Sequence, residues 1–227
     1  MNSKNSFWDK INNFSATGTL IFFTTLLSCI EFVLLFIYPE SISFLALQPS
    51  AIYSGKYLWT LVTHIFMHAG IAHLLINMFV LFSLGSLTER IIGRRRFFAL
   101  YFGGGIFAGL LATYTALLFG NGKGEIFFGS PDKYMVGASG AIFAIAGLLM
   151  ILLPKLRFSI IFLPFFSLPA YIMLPLVLAL TWIVSALAKW NVGNVAHLGG
   201  FLVGIFFGTY LKIKYQRKVE LLRRYFR

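Results

Sequence analysis

Ser139, set between glycines where an apolar run begins, is where chemistry could start in this 227-residue chain. Val136-Gly137-Ala138-Ser139-Gly140 joins a polar stretch to residues 141–153, which are apolar throughout. A helix beginning near Ser139 turns its unpaired N–H groups back toward the serine, and that end of a helix favours developing negative charge. Gly137 and Gly140 leave room for a second backbone to approach. The same residues also suit an ordinary helix start with Ser139 as N-cap, so the serine alone decides nothing. His73 and Asn77 precede it, four apart and so on one helical face, and His197 follows it. A serine becomes a nucleophile when a base takes its proton, and histidine is suited to that near neutral pH. Asn77, His73 and the backbone N–H of Ser139 could hold the oxyanion of an acyl transfer. The seven acids (Asp9, Glu31, Glu40, Glu89, Glu125, Asp132 and Glu220) sit mostly in tails and loops. None falls where it would orient His197, so the set reads as a Ser–His dyad rather than a triad. Phe143, one turn after Ser139, is placed either to pack on the His197 ring or to face lipid or core.

The elements that must position these residues are membrane spans. Hydrophobic residues make up 59% of the chain and charged residues 11%, against about 25% charged in soluble domains. With a mean hydropathy of +0.83, the expected fold is all-α, a polytopic membrane protein of six transmembrane helices with a short central fourth helix. The net charge of +12 lies in short basic runs between apolar segments, which is how cytoplasmic loops look, and points away from nucleic acid. Cys29 is the lone cysteine and can form no internal disulfide.

Three regions are expected: an N-terminal cytoplasmic tail (1–14), a six-span membrane domain (15–213) and a basic cytoplasmic C-terminal tail (214–227). The spans read as 16–38, 71–87, 97–119, 139–153, a fifth within 159–187 whose start Pro164, Pro169 and Pro175 make irregular, and 194–213. At 1.5 Å per residue the fourth covers only about 22 Å, short of a hydrocarbon core about 30 Å thick. It should therefore lie centrally, sheathed in protein, with water reaching its outer end. With both termini inside, only Lys56, Lys123, Lys133 and Lys189 of the 19 Lys and Arg residues fall outside, as the positive-inside rule asks. Gly200, Gly204 and Gly208 form a small-residue stripe on span six, and Gly140, Ala144 and Gly147 another on span four. Such stripes let membrane helices touch backbone to backbone, and pairing them brings His197 beside Ser139. Glu31, inside the first span, is expected to be protonated or to face the interface near its outer end. Trp59 is expected to anchor the first outer loop at the interface.

The segments His73-Leu74-Leu75-Ile76-Asn77, Gly137-Ala138-Ser139-Gly140 and His197-Leu198-Gly199-Gly200-Phe201-Leu202-Val203-Gly204, in this order on spans two, four and six, resemble those of the rhomboid intramembrane serine proteases. The similarity extends over nearly the whole chain and matches the basic six-span form of that family. It implies Ser139 as nucleophile, His197 as base, and His73 with Asn77 as oxyanion stabilisers. It also implies a first outer loop, carrying His64 and His68, that is half-embedded beside the helices. Glu89-Arg90 with Gly93 resembles the family's motif at the cytoplasmic end of span two. The family often has Trp-Arg in the first loop where this chain has Trp59-Thr60. The implied activity is that of a serine endopeptidase cutting single-span membrane proteins near the outer boundary of the bilayer, with no cofactor and no metal. The implied setting is a multi-pass protein in a prokaryotic plasma membrane. Two other classes compete. His64, His68 and His73 have spacings that could suit a metal, but Ile65 stands where a His-Glu-x-x-His motif needs its glutamate. A proton-coupled transporter using Glu31 would call for an inverted repeat or paired broken helices, and neither is apparent.

Overall fold

The structure is a computed structural model that describes residues 15–160, 163–188 and 193–226; the expected N-terminal tail (1–14) and Lys189 lie outside them. Among the described residues five helices are long and apolar enough to cross a membrane: α1 (Ala16–Ile37), α2 (Ile71–Ile92), α3 (Arg94–Phe119), α5 (Ala170–Ala188) and α6 (Asn194–Lys214). Between α3 and α5 lies the shorter apolar helix α4 (Ser139–Leu152). The protein is thus an all-α polytopic membrane protein with a short fourth helix, as its composition predicts.

Three features refine or differ from the sequence reading. The fifth helix, expected within 159–187 with an irregular start, begins at Ala170. Residues before it form an antiparallel hairpin of β1 (Arg157–Ile160) and β2 (Leu163–Pro169), with Phe158 paired to Leu168 and Ser159 to Ser167. Pro164 and Pro169 lack the N–H groups that helical turns need, so the chain stays extended until it has passed the second proline, and α5 starts at the next residue. The second helix runs on to Ile92, with a π-helical stretch at Leu81–Gly85. Residues read as part of a basic tail form α7 (Gln216–Tyr225), which buries Val219.

Burial shows which helix is central. Ten of the fourteen residues of α4 are buried, against six of the twenty-two of α1. A helix too short to span hydrocarbon alone needs such a sheath, because lipid satisfies no backbone polar group beyond its ends. The sheath is tightest on the α6 side. A methyl group added to Gly200 would overlap the carbonyl oxygen of Gly140, one on Gly204 that of Ala144, and one on Gly147 that of Phe201. On the opposite side α3 approaches in the same way, with Gly104 against Ala144 and Ala108 against Gly140. Nothing larger than an alanine methyl separates these backbones, so the attraction is close van der Waals packing, the force available where lipid tails are as apolar as leucine.

The outer helices are fastened by polar groups at their ends. The Glu89 carboxylate of α2 accepts hydrogen bonds from the backbone N–H groups of Ala16 (2.6 Å) and Thr17 (2.8 Å) and from the Thr17 hydroxyl (2.9 Å). A carboxylate at the first turn of α1 also meets the positive end of its dipole. At the far end of α4, Arg223 of α7 donates to the carbonyls of Leu152 (3.0 Å) and Ile151 (2.7 Å), which no later helical N–H can reach. Between α1 and α2 the connecting loop folds into short helical turns held by its own polar groups. The Trp59 indole N–H donates to the Phe44 carbonyl (2.8 Å) and Thr63 to that of Leu45 (2.9 Å). Thr60 is buried and its hydroxyl donates to the Tyr57 carbonyl (2.7 Å).

Gly200→Leu is expected to wedge α6 from α4 at the level of Ser139, since overpacking typically costs about 1–3 kcal/mol. Melting temperature in detergent should fall, and labelling of Ser139 by a fluorophosphonate should fall further than expression does; a variant that melts and labels like the wild type would show that the two helices tolerate separation. Trp59→Ala removes both ring and donor from the loop and should lower the melting temperature with the Ser139 region left in place.

Candidate active site

Gly137 and Ser139 sit at the point where an extended segment becomes α4. Before the turn, Met135 pairs with Leu47 of the first loop through both backbone bonds (2.7 and 3.0 Å), and the Gly137 N–H donates to the His64 carbonyl (2.9 Å). The loop and the start of α4 are thereby one piece. Gly137 has φ of +128°, a conformation that favours glycine, and a Cβ there would also strike the His73 ring at 2.9 Å. Ser139 is the first residue of α4, so its N–H and the next few lack helical acceptors.

The glycine contacts between α4 and α6 bring the two halves of the site together. His197 lies one turn before Gly200 on α6, and its Nε2 is 2.8 Å from the Ser139 hydroxyl oxygen. The His197 ring stacks on Phe143, with centroids 4.6 Å apart and an interplanar angle of 27°. Of the two places Phe143 could occupy, the structure gives it the one on the imidazole.

His73 and Asn77 approach from α2. The Ala69 N–H donates to His73 Nδ1 (3.4 Å), which assigns the ring proton to Nε2. That nitrogen lies against Gly137, close to Ser139, and can donate toward the serine. Asn77 is buried, and its side-chain Nδ2 has no hydrogen-bond partner among the described residues. A buried amide donor without an acceptor costs free energy in the resting protein, and a developing oxyanion would satisfy it. The arrangement can therefore activate a hydroxyl at Ser139 and present donors to a tetrahedral intermediate.

His64 and His68 belong to the scaffold behind this constellation. His64 Nδ1 donates to the Thr60 carbonyl (2.7 Å), and His68 Nδ1 contacts the Ser28 hydroxyl (2.9 Å), itself bonded to the Phe66 carbonyl (2.7 Å). Burial is the main cause that pushes each imidazole down to about 4, so both are uncharged at neutral pH. The His68 ring meets His73 edge-on, centroids 5.0 Å apart. Of the two expectations for Glu31, protonated or facing the membrane interface, the second does not hold. Glu31 is 2% exposed, and its carboxyl accepts the backbone N–H of His68 (2.8 Å). The irregular backbone after Phe66 has no helical partner for that N–H, and Glu31 supplies one from across α1.

A family model described as Rhomboid domain matches residues 55–214. The chain belongs to the rhomboid family. Among similar proteins are the presenilin-associated rhomboid-like protein, mitochondrial, of Homo sapiens, 32% identical over 145 residues, 64% of this chain and 36% of that one, and its Danio rerio counterpart, protein A, 30% identical over 146 residues, 64% of this chain and 35% of that one. Rhomboid protease GluP of Bacillus subtilis is 32% identical over 165 residues, 73% of this chain and 28% of that one. The chain thus spans about a third of the length of the curated relatives it matches.

The bond from Glu31 to the loop, and the hold of Glu89 on α1, were not read from the sequence, because each pairs positions 37 and 73 residues apart. A carboxyl inside an apolar span was the available signal for the first. Glu31→Ala should strand the buried His68 N–H, an omission that costs about 1–3 kcal/mol. Glu31→Gln keeps a carbonyl acceptor in the same place. The alanine variant is expected to melt several degrees lower and the glutamine variant close to wild type; equal losses in both would mean that the charge, and not the accepted hydrogen bond, is what matters.

Proposed function

We propose that this rhomboid-family chain is an intramembrane serine endopeptidase working by a Ser–His dyad. The observation that carries the reading is the 2.8 Å contact between His197 Nε2 and the Ser139 hydroxyl at the start of a helix buried in protein. His197 takes the Ser139 proton as the hydroxyl oxygen attacks a peptide carbonyl, then returns it to the leaving amine. Asn77 Nδ2, His73 Nε2 and the Ser139 backbone N–H stabilise the oxyanion. Gly137 and Gly140 let the substrate backbone come close, Phe143 keeps the base in plane, and Gly200 and Gly204 hold its helix against α4. No cofactor or metal enters the scheme.

The proposed substrates are single-span membrane proteins, cut near the outer boundary of the bilayer. Backbone in a helix is hydrogen-bonded and out of reach, so the cut falls where the substrate helix unwinds, and Gly, Ser or Pro in it lowers the cost of unwinding. The positive-inside pattern supports cytoplasmic termini and an outward-facing Ser139. The setting in a prokaryotic plasma membrane is part of the proposal and is not taken from the relatives, some of which carry mitochondrial in their names.

Purified protein incubated with a panel of single-span substrates tests the reading. Ser139→Ala should abolish both cleavage and fluorophosphonate labelling, and His197→Ala should nearly abolish both. Asn77→Ala leaves the dyad and removes one oxyanion donor, a loss of about 10²–10³ in turnover elsewhere, so it should label and cut slowly but measurably. Chelators should change none of this. Cleavage that survives Ser139→Ala, or stops with EDTA in the wild type, would remove these residues from the mechanism.

A further inference from the structure

One polar network next to the site has no part in the scheme above. Asn194 lies three residues before His197 at the start of α6 and is 2% exposed. Its Nδ2 is 2.5 Å from the hydroxyl oxygen of Ser185 on α5, and the Ser185 hydroxyl donates to the Trp182 carbonyl (3.0 Å). A serine has one proton to give. With that proton committed to a carbonyl, what Ser185 receives from Asn194 must be the amide N–H, so the orientation of the Asn194 amide is settled by its network. Its Oδ1 is then turned away from Ser185, and among the described residues it is a buried acceptor with no donor.

His197 has the complementary need. For Nε2 to accept the Ser139 proton, the ring must carry its own proton on Nδ1. That Nδ1 is buried and has no partner among the described residues. One unpaired acceptor and one unpaired donor, three residues apart, occupy the same face of one helix. Helical side chains lean toward the N-terminus, which tips the His197 ring toward Asn194.

We propose that Asn194 is the positioning residue of the base: its Oδ1 accepts the Nδ1 proton of His197 across one water, and so selects the tautomer that can deprotonate Ser139. The role is the one an acid plays in a triad, filled by a neutral amide whose orientation is set from α5. It rests on the reading of His197 as base. His73 on α2, whose ring lies against Gly137 close to Ser139, is an ionisable group on the same site among the described residues, and it stays in place in every variant below.

The test is the pH dependence of fluorophosphonate labelling and of cleavage for Asn194→Leu, Asn194→Asp and Ser185→Ala, beside wild type and Ser139→Ala. Loss of the acceptor in Asn194→Leu disfavours the imidazolium and frees the tautomer. Its plateau should fall about tenfold or more, and its acid limb should move to lower pH. The carboxylate of Asn194→Asp favours the imidazolium, so its acid limb should move to higher pH by about half a unit or more with the plateau largely kept. Ser185→Ala releases the amide and should resemble the leucine variant in weaker form. If Asn194→Leu does not fold, the aspartate and Ser185 variants decide by the same shifts. Acid limbs that coincide with wild type in the folded variants, whatever the plateau, overturn the inference, since a merely structural residue changes rate or stability without moving the limb. Activity that persists in Ser139→Ala would instead overturn the dyad itself.

Discussion

Gly140 and Gly200 face each other with no side chain between them, and most of the architecture is a response to that contact. A helix of fourteen residues reaches about 21 Å and cannot cross hydrocarbon unaided. It is stable only where other backbones close over it, and only glycine and alanine allow them that near. The same closeness positions the chemistry. His197 stands one turn from Gly200, and Ser139 adjoins Gly140, so the interhelical contact and the Ser–His distance are one geometric fact. The stripes continue through Gly204 and Gly147, which keeps the two helices from rocking about a single point of contact.

The other side of the site is built on different terms. His73 and Asn77 are carried by α2, whose first turn follows an irregular loop, and irregular backbone within a membrane protein needs partners for its polar groups. Glu31 accepts one N–H, Ser28 reaches the Phe66 carbonyl, and the His64 carbonyl receives Gly137. The loop is therefore not a lid resting on the helices. It shares hydrogen bonds with the segment that leads into Ser139, so a disturbance at Trp59 or Glu31 has a covalent and hydrogen-bonded route to the Ser139 turn.

The sequence made much of this legible, for identifiable reasons. Long apolar runs revealed spans one, three and six closely, since hydropathy is a local property. The glycine spacings on α4 and α6 marked faces made for close packing, because small residues are costly in a helix unless a neighbour needs the space, and only the chemistry of Ser139 and His197 pointed to their pairing. The prolines marked an irregular start to the fifth span, yet periodicity could not distinguish a late helix from the hairpin of β1 and β2, which resembles any short apolar run. Basic character hid the helix of α7, where charge dominated the reading. Polar pairings across long separations, such as Glu89 with the start of α1 or Asn194 with Ser185, depend on which faces the fold brings together, and no local pattern announces them.

Arg223 gives α4 an ending that arrives late. The carbonyls it satisfies belong to Ile151 and Leu152, some 71 residues earlier in the chain. During synthesis α4 reaches the membrane without α6 to cover its glycine face and without α7 to close its far end. The helix at the centre of the folded protein is thus among the last to be completed. Until then it must be sheltered by lipid, by α3 or by the insertion machinery. Fusions joined close behind residue 225 consequently bear on the far end of the helix that begins with Ser139, and a tag there is not a neutral attachment.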